Sequence, residues 1–182
     1  MSIKGKIFKE IATHLETQVP ELIYIDKERG QLEKENELLV PKPAVLVAFL
    51  RFEWSDIGNG VKEGKGSIQI RTAIENYAES YTGSIDQDAA ISFFELNEKI
   101  DNALEEFSGD NFSALKKIAD EDDLDHSNTI VTVFEYETTI IDDSKACDVN
   151  MIKVDAVPVV TYANKKDFPK KEVPEGGFYI PM

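Results

Sequence analysis

Apolar residues recur at Ile3, Ile7, Phe8, Ile11 and Leu15, a helical spacing that predicts an amphipathic helix over residues 3–17, stopped ahead of Pro20. "LIYI" at 22–25 reads as a short strand, and the polar "DKERGQLEKENELLVPKP" after it reads as a loop. From Ala44 to Trp54 the run "AVLVAFLRFEW" is apolar on both faces at first and then alternates, as a central strand partly covered on both sides does. Glycine-rich "SDIGNGVKEGKG" leads into "SIQIRTAIE", where Ile68, Ile70, Thr72 and Ile74 share one face and Gln69, Arg71 and Glu75 the other. Together these segments predict one long antiparallel hairpin with a flexible tip.

Ser84-Ile-Asp-Gln87 offers a capping box for a second helix, whose buried stripe is Phe93, Leu96, Ile100, Leu104 and Phe107 and whose end falls near Gly109. "FSALKKIA" (112–119) adds a helical turn, and "NTIVTVFEYETTII" (128–141) is β-branched and aromatic throughout, a strand. "VNMIKVDAVPVVTY" (149–162) reads as an edge strand interrupted by Pro158, followed by a basic, proline-rich tail tipped with Phe168, Phe178 and Tyr179. The expected fold is α+β: an antiparallel sheet with two main helices on one face, in the order α-β-β-β-α-β. That domain spans 1–143, and the edge strand and Pro/Lys-rich extension span 144–182. The opposite sheet face is left open to a partner.

A chain of 182 residues suits one such domain, and its 42% hydrophobic and 30% charged content suits a globular protein. No apolar run approaches the roughly 20 residues a membrane span needs, and "MSIKGKIFKEIATHLETQ" lacks the features of a secretory signal, so an intracellular origin is expected. The net charge of −15 is confined: residues 86–143 carry 3 Lys/Arg against 17 Asp/Glu, whereas the segments on either side are nearly balanced. Such a field repels phosphate and argues against a protein that grips nucleic acid, although it suits a surface past which DNA slides.

The acidic stretch "ADEDDLDHSN" sets Asp120, Glu121, Asp122, Asp123 and Asp125 beside His126. As a calcium loop starting at Asp120 it fails: Leu124 falls on a ligand position, Asp125 where the turn needs glycine, and Val131 where a bidentate Glu belongs. A looser oxygen cage for calcium or magnesium is the minor alternative to a solvated loop. Gly60 to Gly66 resembles a phosphate-binding loop only at a glance, because a strand follows it and Gly66 replaces the magnesium-binding hydroxyl residue. His14 sits on the flank of the first helix as a packing residue, and His126 should titrate upward if it lies near the carboxylates. Cys147 reads as a plain thiol, since Asp148 follows it and no cation is near in sequence. No catalytic residue, cofactor or metal site is assigned.

The opening helix, the "PKPAVLVAFLRFEWSDIGNGVKEGKGSIQIRTAIE" hairpin, the "AAISFFELNEKIDNALEEFSGDNFSALKKI" helix with its following segment, and the "IVTVFEYETTI" strand resemble the tail-completion or tail-terminator proteins of long-tailed bacteriophages and prophages. The resemblance covers residues 3–141 and includes the phrases Glu53-Trp54 and Phe107-Ser-Gly-Asp110. It implies a sheet with helices on one side and a non-catalytic virion protein made in the bacterial cytoplasm. It also implies a ring, typically a hexamer, that caps the tail tube and meets the head connector. Gly58, Gly60 and Gly64 at the hairpin, with Phe168, Phe178 and Tyr179 in the tail, are the candidate subunit contacts. Asp120 to Asp123 and Asp125 are candidates for a ring lumen through which DNA passes without being gripped. The alternative is an acidic protein-binding module, monomeric or dimeric, that mimics DNA.

Overall fold

A computed structural model describes residues 1–33, 39–75, 78–126 and 129–146. The edge strand and aromatic tail expected over 149–182 lie outside the described residues.

Helix α1 (Ile3–Gln18) is opened by Ser2, whose hydroxyl accepts the Gly5 N–H at 3.3 Å. Its stripe of Ile7, Ile11 and Leu15 is fully buried. Strand β1 (Tyr24–Lys27) lies parallel to the start of β2 (Ala44–Gly58), which pairs antiparallel with β3 (Val61–Glu75). Two helical segments follow, α2 (Gln87–Ile91) and α3 (Phe93–Leu104), joined at Ser92, and then β4 (Lys116–Asp123) and β5 (Thr129–Asp142). The sheet order is β1-β2-β3-β5-β4. The class is α+β as expected, but the sheet has five strands and is mixed, because β1 runs parallel to β2.

The largest correction is β4. Residues 112–119 are not helical: Phe112 bridges to Ile140, and from Lys116 the chain runs as a strand along the outer edge of β5. The acidic run, expected as a loop, continues that strand to Asp123. Its residues have poor β propensity, but the backbone edge of β5 pairs with them over their whole length and sets their conformation. The second helix also differs. Ser84 accepts from the Asp86 N–H at 3.3 Å as a local turn and caps no helix, and Gln87 donates to Ser80 O at 3.4 Å, so the capping box does not form. α3 stops at Leu104, five residues early, because Glu106 takes φ 61° and its N–H bonds Leu115 O at 2.9 Å. Phe107 still reaches the core, from a turn.

The main core lies between the helices and one sheet face, where Ile7, Ile11 and Leu15 meet Val45, Val47, Ile68, Ile70, Ile100, Leu104, Phe134, Tyr136 and Ile140. Each such side chain removed from water contributes about 1.5–3 kcal/mol before entropy is counted. The opposite face is not wholly open. At one end, Leu32 and Val40 cover Ala44, Leu46, Ala73, Val131 and Val133 in a second cluster.

Inside the main core a polar chain ties four elements together. Thr72 of β3 donates to Asn97 Oδ1 (2.9 Å), Asn97 Nδ2 donates to Thr132 Oγ1 of β5 (3.0 Å), and Thr132 donates to Asp122 Oδ1 of β4 (2.9 Å). Asn97 is buried on α3, so this chain fixes the rotation of the helix as well as its distance from the sheet.

Candidate interaction surfaces

Because β4 is a strand, its carboxylates alternate between faces. Asp120 and Asp122 lie opposite Phe134 and Thr132, on the helix side, where they line an open cleft of about 420 Å³ with Phe94, Asn97, Glu98, Asp101 and Lys117. Lys117 is the cation of that cleft. Its Nζ lies 2.6 Å from Asp101 and 3.4 Å from Asp120, and 5.6 Å over the Phe134 ring. The hydrogen bond to Asp101 raises its pKa, against the burial that lowers it. Asp101 also accepts from the Tyr136 hydroxyl at 2.7 Å, and burial together with that carboxylate pushes the phenol far above its ordinary value.

Glu121 and Asp123 are opposite Val133 and Val131, on the other face. There Arg71 bridges Asp123 (2.5 Å) and Glu28 (3.5 Å), so a strand in the middle of the sheet ties the β4 end to the segment after β1. His126 Nε2 is 3.5 Å from Asp123, and Asp125 donates its N–H to Asp123 Oδ1 at 3.2 Å. Burial pushes the Asp123 carboxyl up, but the Asp125 N–H, His126 and Arg71 outweigh it, and its pKa is lowered.

A carboxylate with a lowered pKa binds fewer protons folded than unfolded, so it stabilises the fold above its unfolded value of 3.8 and loses that contribution as the pH falls through the lowered value. Asp123→Asn is therefore expected to lower stability at neutral pH and to flatten its decline below about pH 4. Urea melts at a series of pH values measure this. An unchanged acid limb would assign the ion pairs no role.

The strand geometry separates the acidic side chains that the sequence sets side by side. Among the described residues no group of three or more His, Cys, Asp or Glu side chains is placed to hold a metal ion. Asp120, Asp122 and Asp123 are each engaged by a protein group. His14 is the packing residue expected. It stacks on Phe107 with centroids 3.8 Å apart, and its Nε2 donates to Ala103 O at 2.7 Å, locking α1 to the end of α3.

The three candidate glycines do not form one feature. Gly58 (φ 97°) and Gly60 (φ 79°) flank Asn59 at the hairpin turn, where positive φ requires them. A Cβ on Gly60 would lie 2.1 Å from Lys145 O, so the turn sits against the chain leaving β5. Gly64 is inside β3, opposite Trp54, and a Cβ there would meet the indole at 2.9 Å. The expected flexible tip thus shortens to Gly58-Asn59-Gly60. Phe168, Phe178 and Tyr179 lie outside the described residues.

Fold and surface define an α+β protein with one acidic sheet edge, and no helix among the described residues is long and apolar enough to cross a membrane. No family model and no curated protein matches the chain.

Proposed function

We propose that the chain is a structural phage or prophage protein, a tail terminator or head-to-tail joining subunit that closes into a ring on the tail tube. The observation that supports this reading is the chain order of residues 3–142: helix, short strand, long hairpin, helix, two strands, with both long helices on one sheet face. It agrees with the fold that the resemblance implies. The partners are further copies of the chain, the tail-tube protein and the head connector. The subunit is made in the bacterial cytoplasm and built into the virion, and its role is assembly, with no catalysis and no cofactor. In a ring, the acidic edge formed by β4 and α3 would be repeated in every subunit. Turned toward the axis, it would give a negative lumen along which a DNA duplex moves without sticking.

The test is light scattering after size exclusion, alone and with purified tail tubes, followed by negative-stain imaging. A closed ring of about six subunits is the expected outcome. A strict monomer at high concentration both with and without tubes overturns the reading.

The exposed row of carboxylates on β4 favours a second reading, an acidic module that occupies a basic protein surface as a DNA mimic. That module would stay monomeric or dimeric, and DNA would compete with it for its partner.

A further inference from the structure

The side of the sheet away from β4 carries a different kind of surface. β1 covers β2 only from Ala44 to Val47, so from Ala48 onward β2 is an outer strand among the described residues. A bulge between Phe49 and Phe52 sets an extra residue into β2 and brings both rings to the helix side, where they pack on the main core. Trp54, two residues further on, shares that face. The three rings form a ladder with centroids 6.5 and 6.4 Å apart, and Trp54 at its outer end is 42% exposed. One face of the indole lies on Gly64, which leaves the other for a partner. Lys4 of α1 stands over the ladder, its Nζ 5.5 Å from the Phe49 centroid and 5.3 Å from that of Phe52, and it makes no ion pair among the described residues. Arg51 and Glu53 of the same strand pair with each other at 3.1 Å.

The cleft between α3 and β4 is the complement of this patch. Phe94 at its rim is 59% exposed. Glu98, one helical turn further along α3, is also exposed and makes no ion pair among the described residues. Carboxylates outnumber the single Lys117 in the lining, so an added cation is welcome there. We propose that the aromatic ladder and Lys4 of one copy dock into the α3–β4 cleft of the next, Trp54 against Phe94 and Lys4 against Glu98. Placement supports this: β3 and β5 lie between the two patches, so each subunit presents them on opposite sides. Such a contact is heterologous, the kind a closed ring repeats. Charge supports it too, because an isologous pairing of either patch would set Lys4 beside Lys4 or acid beside acid. So does spacing. Phe94 and Glu98 are neighbours on the helix surface, about 5–6 Å apart at Cβ, while Lys4 and Trp54 both adjoin Phe52. An aromatic and a charge therefore stand side by side on each surface. The contact rests on the ring reading and names the two surfaces that it needs. It covers only the helix side of the acidic edge, and Glu121, on the other face of β4, stays open to an axis.

Charge exchange tests the contact. Sedimentation velocity over a dilution series is measured for the full chain, for Lys4→Glu, for Glu98→Lys, for the double exchange, and for an equimolar mixture of the two single variants. Both positions are exposed, so neither change enters the core. The wild type is expected to self-associate, with a dissociation constant about tenfold or more higher in each single variant, where like charges meet. The double exchange restores opposite charges. In the mixture each variant's cleft accepts the ladder of the other, so association recovers there as well. Trp54 is the only tryptophan, and its emission should shift to the red as the wild type dissociates, a readout that depends on no variant folding. A wild type that stays monomeric with constant Trp54 emission overturns the contact. So do single exchanges that weaken assembly without recovery in the double exchange or the mixture. A ring whose mass ignores every exchange also overturns the contact but leaves the ring reading intact, and that reading fails separately if no ring forms with tail tubes.

Discussion

Tyr136→Ala is expected to cost about 3–5 kcal/mol, a large share of the roughly 5–15 kcal/mol that holds an ordinary domain folded, whereas Tyr136→Phe should cost only about 1 kcal/mol. Tyr136 is among the largest fully buried side chains, set in the main core beside Phe134. Truncation to alanine removes the ring and leaves a cavity that the strand cannot collapse to fill, because β5 is held by β3 on one side and β4 on the other. Phenylalanine keeps the ring and removes only the 2.7 Å bond to Asp101, whose other oxygen still holds Lys117. Urea unfolding followed by circular dichroism separates the two. Equal losses for both variants would mean that the hydroxyl, not the ring, is what the core depends on.

Gly66→Ala is expected to destabilise by about 3 kcal/mol, while Gly64→Ala, two residues away on the same strand, costs about 1 kcal/mol. The difference follows from what each new methyl would meet. At Gly66 the Cβ would lie 2.2 Å from the Arg51 carbonyl oxygen and 2.9 Å from Phe52 Cα, both backbone, so the bulge itself must move. At Gly64 it would meet only the Trp54 ring, a side chain that can swing away. The same denaturation series measures both, and Trp54 fluorescence should report the displaced indole in the Gly64 variant alone. Equal costs would mean that the bulge yields as easily as a side chain.

What the sequence disclosed is what periodicity encodes. The apolar stripe of α1 and the alternation of β3 and β5 each reflect a face that must be buried, so α1 and β5 fall within a residue of their expected places, whereas β3 starts at Val61, inside the stretch expected as the hairpin tip. Strand β1 was visible as an apolar run, but its direction was not, since side-chain alternation is the same in parallel and antiparallel pairs. α3 ended early because Phe107 keeps the helical spacing of the stripe while its backbone has already turned, so the pattern outlasts the helix. β4 was hidden for a stronger reason: "KKIADEDD" has almost none of the residues that favour strands, and the neighbouring strand sets its conformation.

The confinement of charge to residues 86–143 was equally plain, and so was the failure of the calcium pattern. The contacts that organise the charge were not visible. Arg71 and Lys117 meet their carboxylates across the sheet and across to α3, at separations of 16 to 52 residues that no local pattern contains. The edge ion pair of Arg51 and Glu53 is local, but nothing in the sequence marks it as lying on a free strand.

The consecutive carboxylates Asp120 to Asp123 have a colloidal consequence. If two β4 edges came together with these four residues facing their own counterparts, acid would meet acid, so at neutral pH this side of the sheet refuses those registers. That refusal is electrostatic and therefore conditional. Near the sequence isoelectric point of ≈ 4.5 net repulsion between molecules vanishes, and further acidification neutralises the carboxylates themselves. The β4 edge then becomes a bare strand, open to fibrillar stacking.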